Sequence, residues 1–183
     1  MLPNSDHLDR SFTPERGIDR DVLESVITLA VEIAREGREG RKIGTMFVVG
    51  DVAAVLEHSK ELILDPLQGH PDERKCVTSH DTRETIKELA QLDGAFVVSE
   101  AGIVLSACRY LDTSSRGIAL PLGLGSRHMA AASVTRHTGA MAVVVSESSV
   151  VRVFDRGKIV AEIIPEFWIM SQYESERERA SAD

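Results

Sequence analysis

The chain has 183 residues, 43% hydrophobic and 27% charged, the size and balance of one well-packed globular domain. A net charge of −8 argues against a broad nucleic-acid-binding surface, so any phosphate site is local. Only Cys76 and Cys108 are present, in dissimilar contexts, which excludes a disulfide framework or a zinc ligand set.

No apolar run approaches the ~20 residues of a membrane-spanning helix. The first residues lack the basic and apolar regions of a secretory signal, so a cytoplasmic protein without a membrane partner is expected. Residues 1–18 are polar, hold two prolines and show no period; they read as a flexible arm before a domain spanning 19–170. Val22, Leu23, Val26, Ile27, Ala30 and Ile33 recur at helical spacing, which predicts an amphipathic helix over 20–36. Thr45-Met46-Phe47-Val48-Val49, between Gly44 and Gly50, predicts a buried strand. Asp51 is placed to cap a short helix reaching Glu57.

Residues 65–80, with Pro66, Gly69, Pro71 and scattered charges, read as a loop. Asp81 then reads as the cap of a helix through Ala90, with Glu84 at the capping-box position. That helix runs into Asp93-Gly94-Ala95 and the apolar Phe96-Val97-Val98. A turn at Glu100-Ala101-Gly102 joins this strand to Ile103–Ala107 as a hairpin. Gly123 and Gly125 precede an alanine-rich helix with Ser126 as its N-cap, closed by Gly139. Met141–Val145 is another buried strand. Val150–Phe154 and Lys158–Ile163, about Asp155-Arg156-Gly157, form a second hairpin, and residues 171–183 read as a charged, flexible tail. Mixed helices, strands and hairpins predict a single α/β domain with a central mixed β-sheet flanked by helices.

Three features carry chemistry. Asp93 opens a buried strand, where a carboxylate needs a cation, a metal or solvent. The junction Gly123-Leu124-Gly125-Ser126-Arg127-His128 leaves backbone N–H groups open at the positive end of a helix, a natural anion site. Its basic residues oppose the helix dipole, which points to a bound polyanion. Ser146-Glu147-Ser148-Ser149 ends a strand, where α/β proteins commonly bind ligands. Each also has an ordinary structural reading: a turn residue, a plain connection and a polar hairpin turn. His128 and His137 fall on opposite helix faces, nine residues apart at ~3.6 per turn, and cannot share a metal. His70 and His80 read as solvated.

Asp93-Gly94-Ala95 before an apolar strand, then Gly125-Ser126-Arg127-His128-Met129, then a strand ending in Ser146-Glu147, resembles the diadenylate cyclase (DAC) domain family. The family marks are Asp-Gly-Ala and Gly-Thr-Arg-His-Arg, in this order, and Gly44 to Asp51 also looks familial; the likeness covers residues 44–163. The resemblance implies a nucleotidyltransferase that condenses two ATP into cyclic di-AMP with release of two pyrophosphates. It also implies a homo-oligomer, at least a face-to-face dimer with one ATP per protomer, and Mg²⁺ or Mn²⁺. Asp93, Arg127 and His128 match the catalytic residues, and Asp93 and Glu147 the metal ligands. Gly94, Ala95, Leu111, Gly125, Ser126, Arg127, His128, Ser146 and Glu147 match nucleotide contacts, Leu111 at the adenine.

Two departures stand out. Ser126 replaces threonine and keeps the hydroxyl. Met129 replaces the second arginine and removes a positive charge, for which Arg109 and Arg136 are candidate substitutes. An alternative is a catalytically weak or inactive adenine-nucleotide sensor of the same fold. A plain interaction domain is a third reading, against which Arg127 and His128 argue.

Overall fold

The structure is a computed structural model and describes residues 17–112, 114 and 116–170. Most of the expected arm and all of the expected tail lie outside these residues. Helix α1 (Arg20–Glu36) begins at Asp19, whose side chain accepts a hydrogen bond from the Asp21 amide. Strand β1 (Thr45–Val49) leads into α2 (Val52–Glu57) and the short β2 (Ser59–Glu61). Helix α3 (His80–Leu89) precedes the hairpin of β3 (Ala95–Val98) and β4 (Val104–Leu111). Helix α4 (Ser126–His137), β5 (Met141–Val145), β6 (Val151–Asp155) and β7 (Lys158–Ile163) complete the order. Residues 165–170 form a last helical turn that buries Trp168.

The seven strands form one mixed sheet in the order β2-β4-β3-β1-β5-β6-β7. Only β1 and β3 run parallel; every other neighbouring pair is antiparallel. Both faces are covered, which is why β1, β3 and β5 read as unbroken apolar runs rather than alternating ones. Phe47, Val49, Phe96, Met141 and Val153 pack against α1, with Phe47 stacked on Phe96. Met46, Val48, Val97, Val144 and Phe154 pack against Ala130, Ala131 and Val134 of α4. Small side chains along α4 let that helix lie close to the sheet.

Three expected caps are not formed. Asp51 sits in the left-handed region (φ 43°), and its Oδ2 instead accepts a hydrogen bond of 2.6 Å from the Gly139 amide, tying α2 to the end of α4. Helix α3 starts one residue before Asp81, with Ser79 in the cap position and no side-chain cap; Glu84 bonds Lys87. Gly125, not Ser126, is the N-cap of α4. No side chain closes that end, which matters for what binds there.

Candidate active site

Strand directions gather the site. Met46 pairs with Ala95 and Thr45 with Val145, so the start of β1, the start of β3 and the end of β5 meet at one sheet edge. Leu111 ends β4 near the same edge, because Ala95 pairs with Arg109. This is the N-terminal edge of the parallel pair. The ligand edge expected from β5 alone is therefore at its C-terminal end only because β5 runs against β1.

The Asp93-Gly94 turn depends on close backbone approach. Gly94 has φ +105°, and a Cβ there would lie 2.6 Å from the Cys108 carbonyl carbon. Cys108 is itself at φ 55°, in the bulge that shifts the β3–β4 register. Asp93 stays at the surface: its side chain is 75% exposed, and Oδ1 accepts from the Gly94 amide at 2.9 Å. Asp93 thus has both the solvent and the cation that a carboxylate at a strand start requires, since the turn lifts it clear of the buried run that begins at Ala95.

Arg127, in the first turn of α4, reaches between two acids. Nη2 lies 3.4 Å from Asp93 Oδ1, and Nη1 lies 3.4 Å from Glu147 Oε1. Gly44 lies directly beneath: a Cβ there would stand 2.6 Å from Arg127 Nη1 and 3.3 Å from Glu147 Cγ. Ser146 Oγ pairs with Ser148 Oγ at 2.9 Å in the turn after β5.

His128 is buried beside Arg127, only 6% exposed, with its ring tilted against Phe154. Burial, with Arg152 and Arg127 close by, holds its imidazole below the ordinary value of 6.5, so it is neutral at neutral pH.

Two cavities meet at Ser126 and Arg127. One, of about 240 Å³, is lined by Met46, Leu62, Gly94, Tyr110, Leu111 and Met129, with Asp93, Arg109 and Ala130 also at its walls. The other, of about 300 Å³, is lined by Gly123, Gly125, His128, Val145, Ser146 and Glu147. The first is broadly apolar; the second is polar and sits at the uncapped start of α4. Such a pair suits a ligand with a flat apolar end and an anionic end.

Of the residues that the family resemblance matched to catalytic, metal and nucleotide positions, all but Ala95 line one or both cavities; Ala95 is buried in the core facing α4. Met129 lies on the apolar side. Neither substitute for its missing charge is free: Arg136 donates to the Gly117 carbonyl, and Arg109 donates to Ser59 while approaching Glu61. Sequence reasoning overlooked the contact of Gly44 with Arg127 and the place of Arg152 behind His128. A single charge inside the apolar run Val151-Arg152-Val153-Phe154 was the available signal.

The DAC family model, described as DisA bacterial checkpoint controller nucleotide-binding, matches residues 32–159. The chain belongs to the DAC family. Among DAC-type relatives, a diadenylate cyclase of Methanocaldococcus jannaschii is 48% identical over 144 residues, 78% of this chain and 45% of the relative. One from Haloferax volcanii is 42% identical over 151 residues, 81% of this chain and 54% of the relative. The chain thus spans about half the length of the curated relatives it matches. Among solved structures, a double mutant of DacA from Staphylococcus aureus superposes with a TM-score of 0.55 at 22% identity, covering 84% of this chain and 94% of its own. A hypothetical membrane spanning protein from Bacillus cereus gives 0.57 at 18% identity, covering 85% and 68%. These two likenesses place the DAC chain in the same α/β fold. Among the described residues no helix is long and apolar enough to cross a membrane.

Proposed function

We propose that the chain is a diadenylate cyclase, which condenses two ATP molecules into cyclic 3′,5′-di-AMP and releases two pyrophosphates. The observation that carries this reading is the division of the cleft at Ser126 and Arg127. An apolar cavity lined by Leu111, Met46 and Met129 suits adenosine, and a polar one at the open start of α4 suits a triphosphate. Membership of the DAC family and the names of the two relatives support it.

In this reading two protomers meet face to face, each holding one ATP. The 3′-oxygen of one nucleotide bonds to the α-phosphorus of the other, and the bond from that phosphorus to pyrophosphate breaks. Arg127, His128 and the first amides of α4 hold the triphosphate and stabilise the charge that builds on the departing pyrophosphate. Asp93, open to solvent at the rim, receives the hydroxyl proton.

The rim offers a divalent ion two carboxylates. Among the described residues no three His, Cys, Asp or Glu side chains form a cage. Two hard oxygen donors shared with substrate phosphates suit Mg²⁺ or Mn²⁺, which Asp93 and Glu147 would hold. When bound, such an ion lowers the pKa of an attacking hydroxyl and neutralises phosphate charge. Arg127 pairs with both carboxylates; a triphosphate is the stronger bidentate partner for its guanidinium and would free them.

The sensor alternative rests on Met129. Its place in the apolar cavity, away from the polar one, favours turnover over loss of phosphate binding. Incubating the protein with ATP and Mn²⁺ and weighing the product tests the reading: cyclic di-AMP is expected. Asp93→Asn is expected to abolish product while ATP binding and melting temperature hold. Undiminished synthesis by that variant would remove Asp93 from the mechanism.

A further inference from the structure

The two ring nitrogens of His128 have different surroundings. Nε2 lies 3.4 Å from Arg152 Nη1, whereas Nδ1 is buried and has no hydrogen-bond partner. A guanidinium stays charged and only donates. At this contact Nε2 therefore accepts, and the single proton of the neutral ring sits on Nδ1.

The donor is itself built in. Arg152 is 13% exposed, and its Nε donates at 2.8 Å to Glu162 Oε1, the residue directly opposite it in the β6–β7 ladder. Phe154, two residues along the same face of β6, stands against the imidazole ring. The β6–β7 hairpin thus grips His128 from behind, while the ring lines the polar cavity in front.

We propose that Arg152, oriented by Glu162, is a positioning residue that holds His128 in its Nδ1–H form, so that Nδ1–H is the donor offered to an anionic oxygen in the polar cavity. A neutral imidazole free in water prefers the other tautomer, so a donor fixed at Nε2 is needed to enforce this one. A buried N–H without an acceptor is rare in a folded protein and marks a partner still to arrive. The surroundings select an anion, because Arg127, Arg152 and the uncapped start of α4 all bring positive potential. Arg152 is also a cation beside His128 that the helix motif, with Met129 at its end, does not supply. The proposal deepens the diadenylate cyclase reading and rests on it only for naming the oxygen as a phosphate oxygen.

The test is made on the full chain labelled with ¹⁵N in its imidazoles. Without nucleotide, long-range ¹H–¹⁵N correlation is expected to show His128 protonated at Nδ1. ATP should then move that resonance. Arg152→Met is expected to turn His128 to the Nε2–H form and weaken ATP binding about tenfold, and Arg152→Lys to restore most of both. Wild-type His128 in the Nε2–H form overturns the proposal, whatever the variants do. So does an unchanged Nδ1–H form in a folded Arg152→Met protein. Failure of the wild type to bind ATP, with the Nδ1–H form present and lost in Arg152→Met, overturns the nucleotide reading and upholds the positioning role.

Discussion

Gly44 and Gly94 show how single residues shape this site in two ways. A Cβ at Gly44 meets the far end of the Arg127 side chain, which can swing aside, whereas one at Gly94 meets backbone that cannot. Gly44→Ala should leave the melting temperature nearly unchanged and displace Arg127 from the cleft. Loss of a charge-assisted contact predicts roughly a tenfold or greater fall in cyclic di-AMP formation. A normal rate in that variant would show that Arg127 does not need its present position. Gly94→Ala should instead cost about 3 kcal/mol, from a forbidden φ and a clash with β4, read as lowered resistance to urea. An unaffected midpoint would mean that the β3–β4 bulge can relax.

Between elements, the most heavily ionic contact joins α1 to α3. Lys87 is buried, with its side chain 7% exposed, and its Nζ lies 2.8 Å from Glu84, 3.0 Å from Glu32 and 3.5 Å from Glu36. Arg83 pairs with Glu32 as well, and Arg38 bridges Glu36 and Glu88. Burial alone would lower the lysine pKa, but the hydrogen bonds it donates to Glu84 and Glu32 outweigh that and raise the value above 10.5. The hydrogen bond from Lys87 holds the Glu84 carboxyl below its ordinary 4.5. The stabilisation from Lys87 is therefore complete below pH 10.5 and fades as pH rises through its folded value. That from Glu84 is present above pH 4.5 and fades as pH falls through its folded value. Lys87→Met should destabilise the fold by about 2 kcal/mol at neutral pH, because three carboxylates lose the buried cation that they share. The gap in melting temperature between variant and wild type should narrow below pH 4.5. A gap independent of pH would assign the loss to packing instead.

Across the whole molecule, the cleft is open and its rim is apolar as well as acidic. Leu62 and Tyr110 are exposed where they line the first cavity, with Ile63 and Leu64 beside them, and Leu122 stands clear of the surface before the second. In the proposed reaction a single copy holds one ATP and offers its hydroxyl no second α-phosphate. Specific activity should thus fall on dilution through the range in which dimers dissociate. Constant activity per subunit in a sample shown to be monomeric would refute the face-to-face arrangement. Dilution should leave ATP binding to each copy largely intact, because Arg127, His128 and the start of α4 belong to one chain.

What the sequence determined by itself was local. Apolar runs bounded by glycine marked β1, β3 and β5, helical spacing marked α1, and Asp155-Arg156-Gly157 marked the last hairpin, because burial on both sheet faces or on one helix face imposes a period that short-range order must show. The motif residues were legible as well, with their likeness to the DAC family. β2 was not: Ser59-Lys60-Glu61 is polar, exposed along much of its length and paired only with β4, so nothing in its composition announces a strand. Capping assignments failed for a related reason, since Asp51 found a better donor 88 residues away. The site itself was decided only in three dimensions. Arg127 meets Asp93 across 34 residues and Glu147 across 20, and His128 meets Arg152 across 24. Those encounters depend on β1 lying between a parallel β3 and an antiparallel β5, and strand order is set by how the whole sheet closes over both cores, which no local pattern encodes.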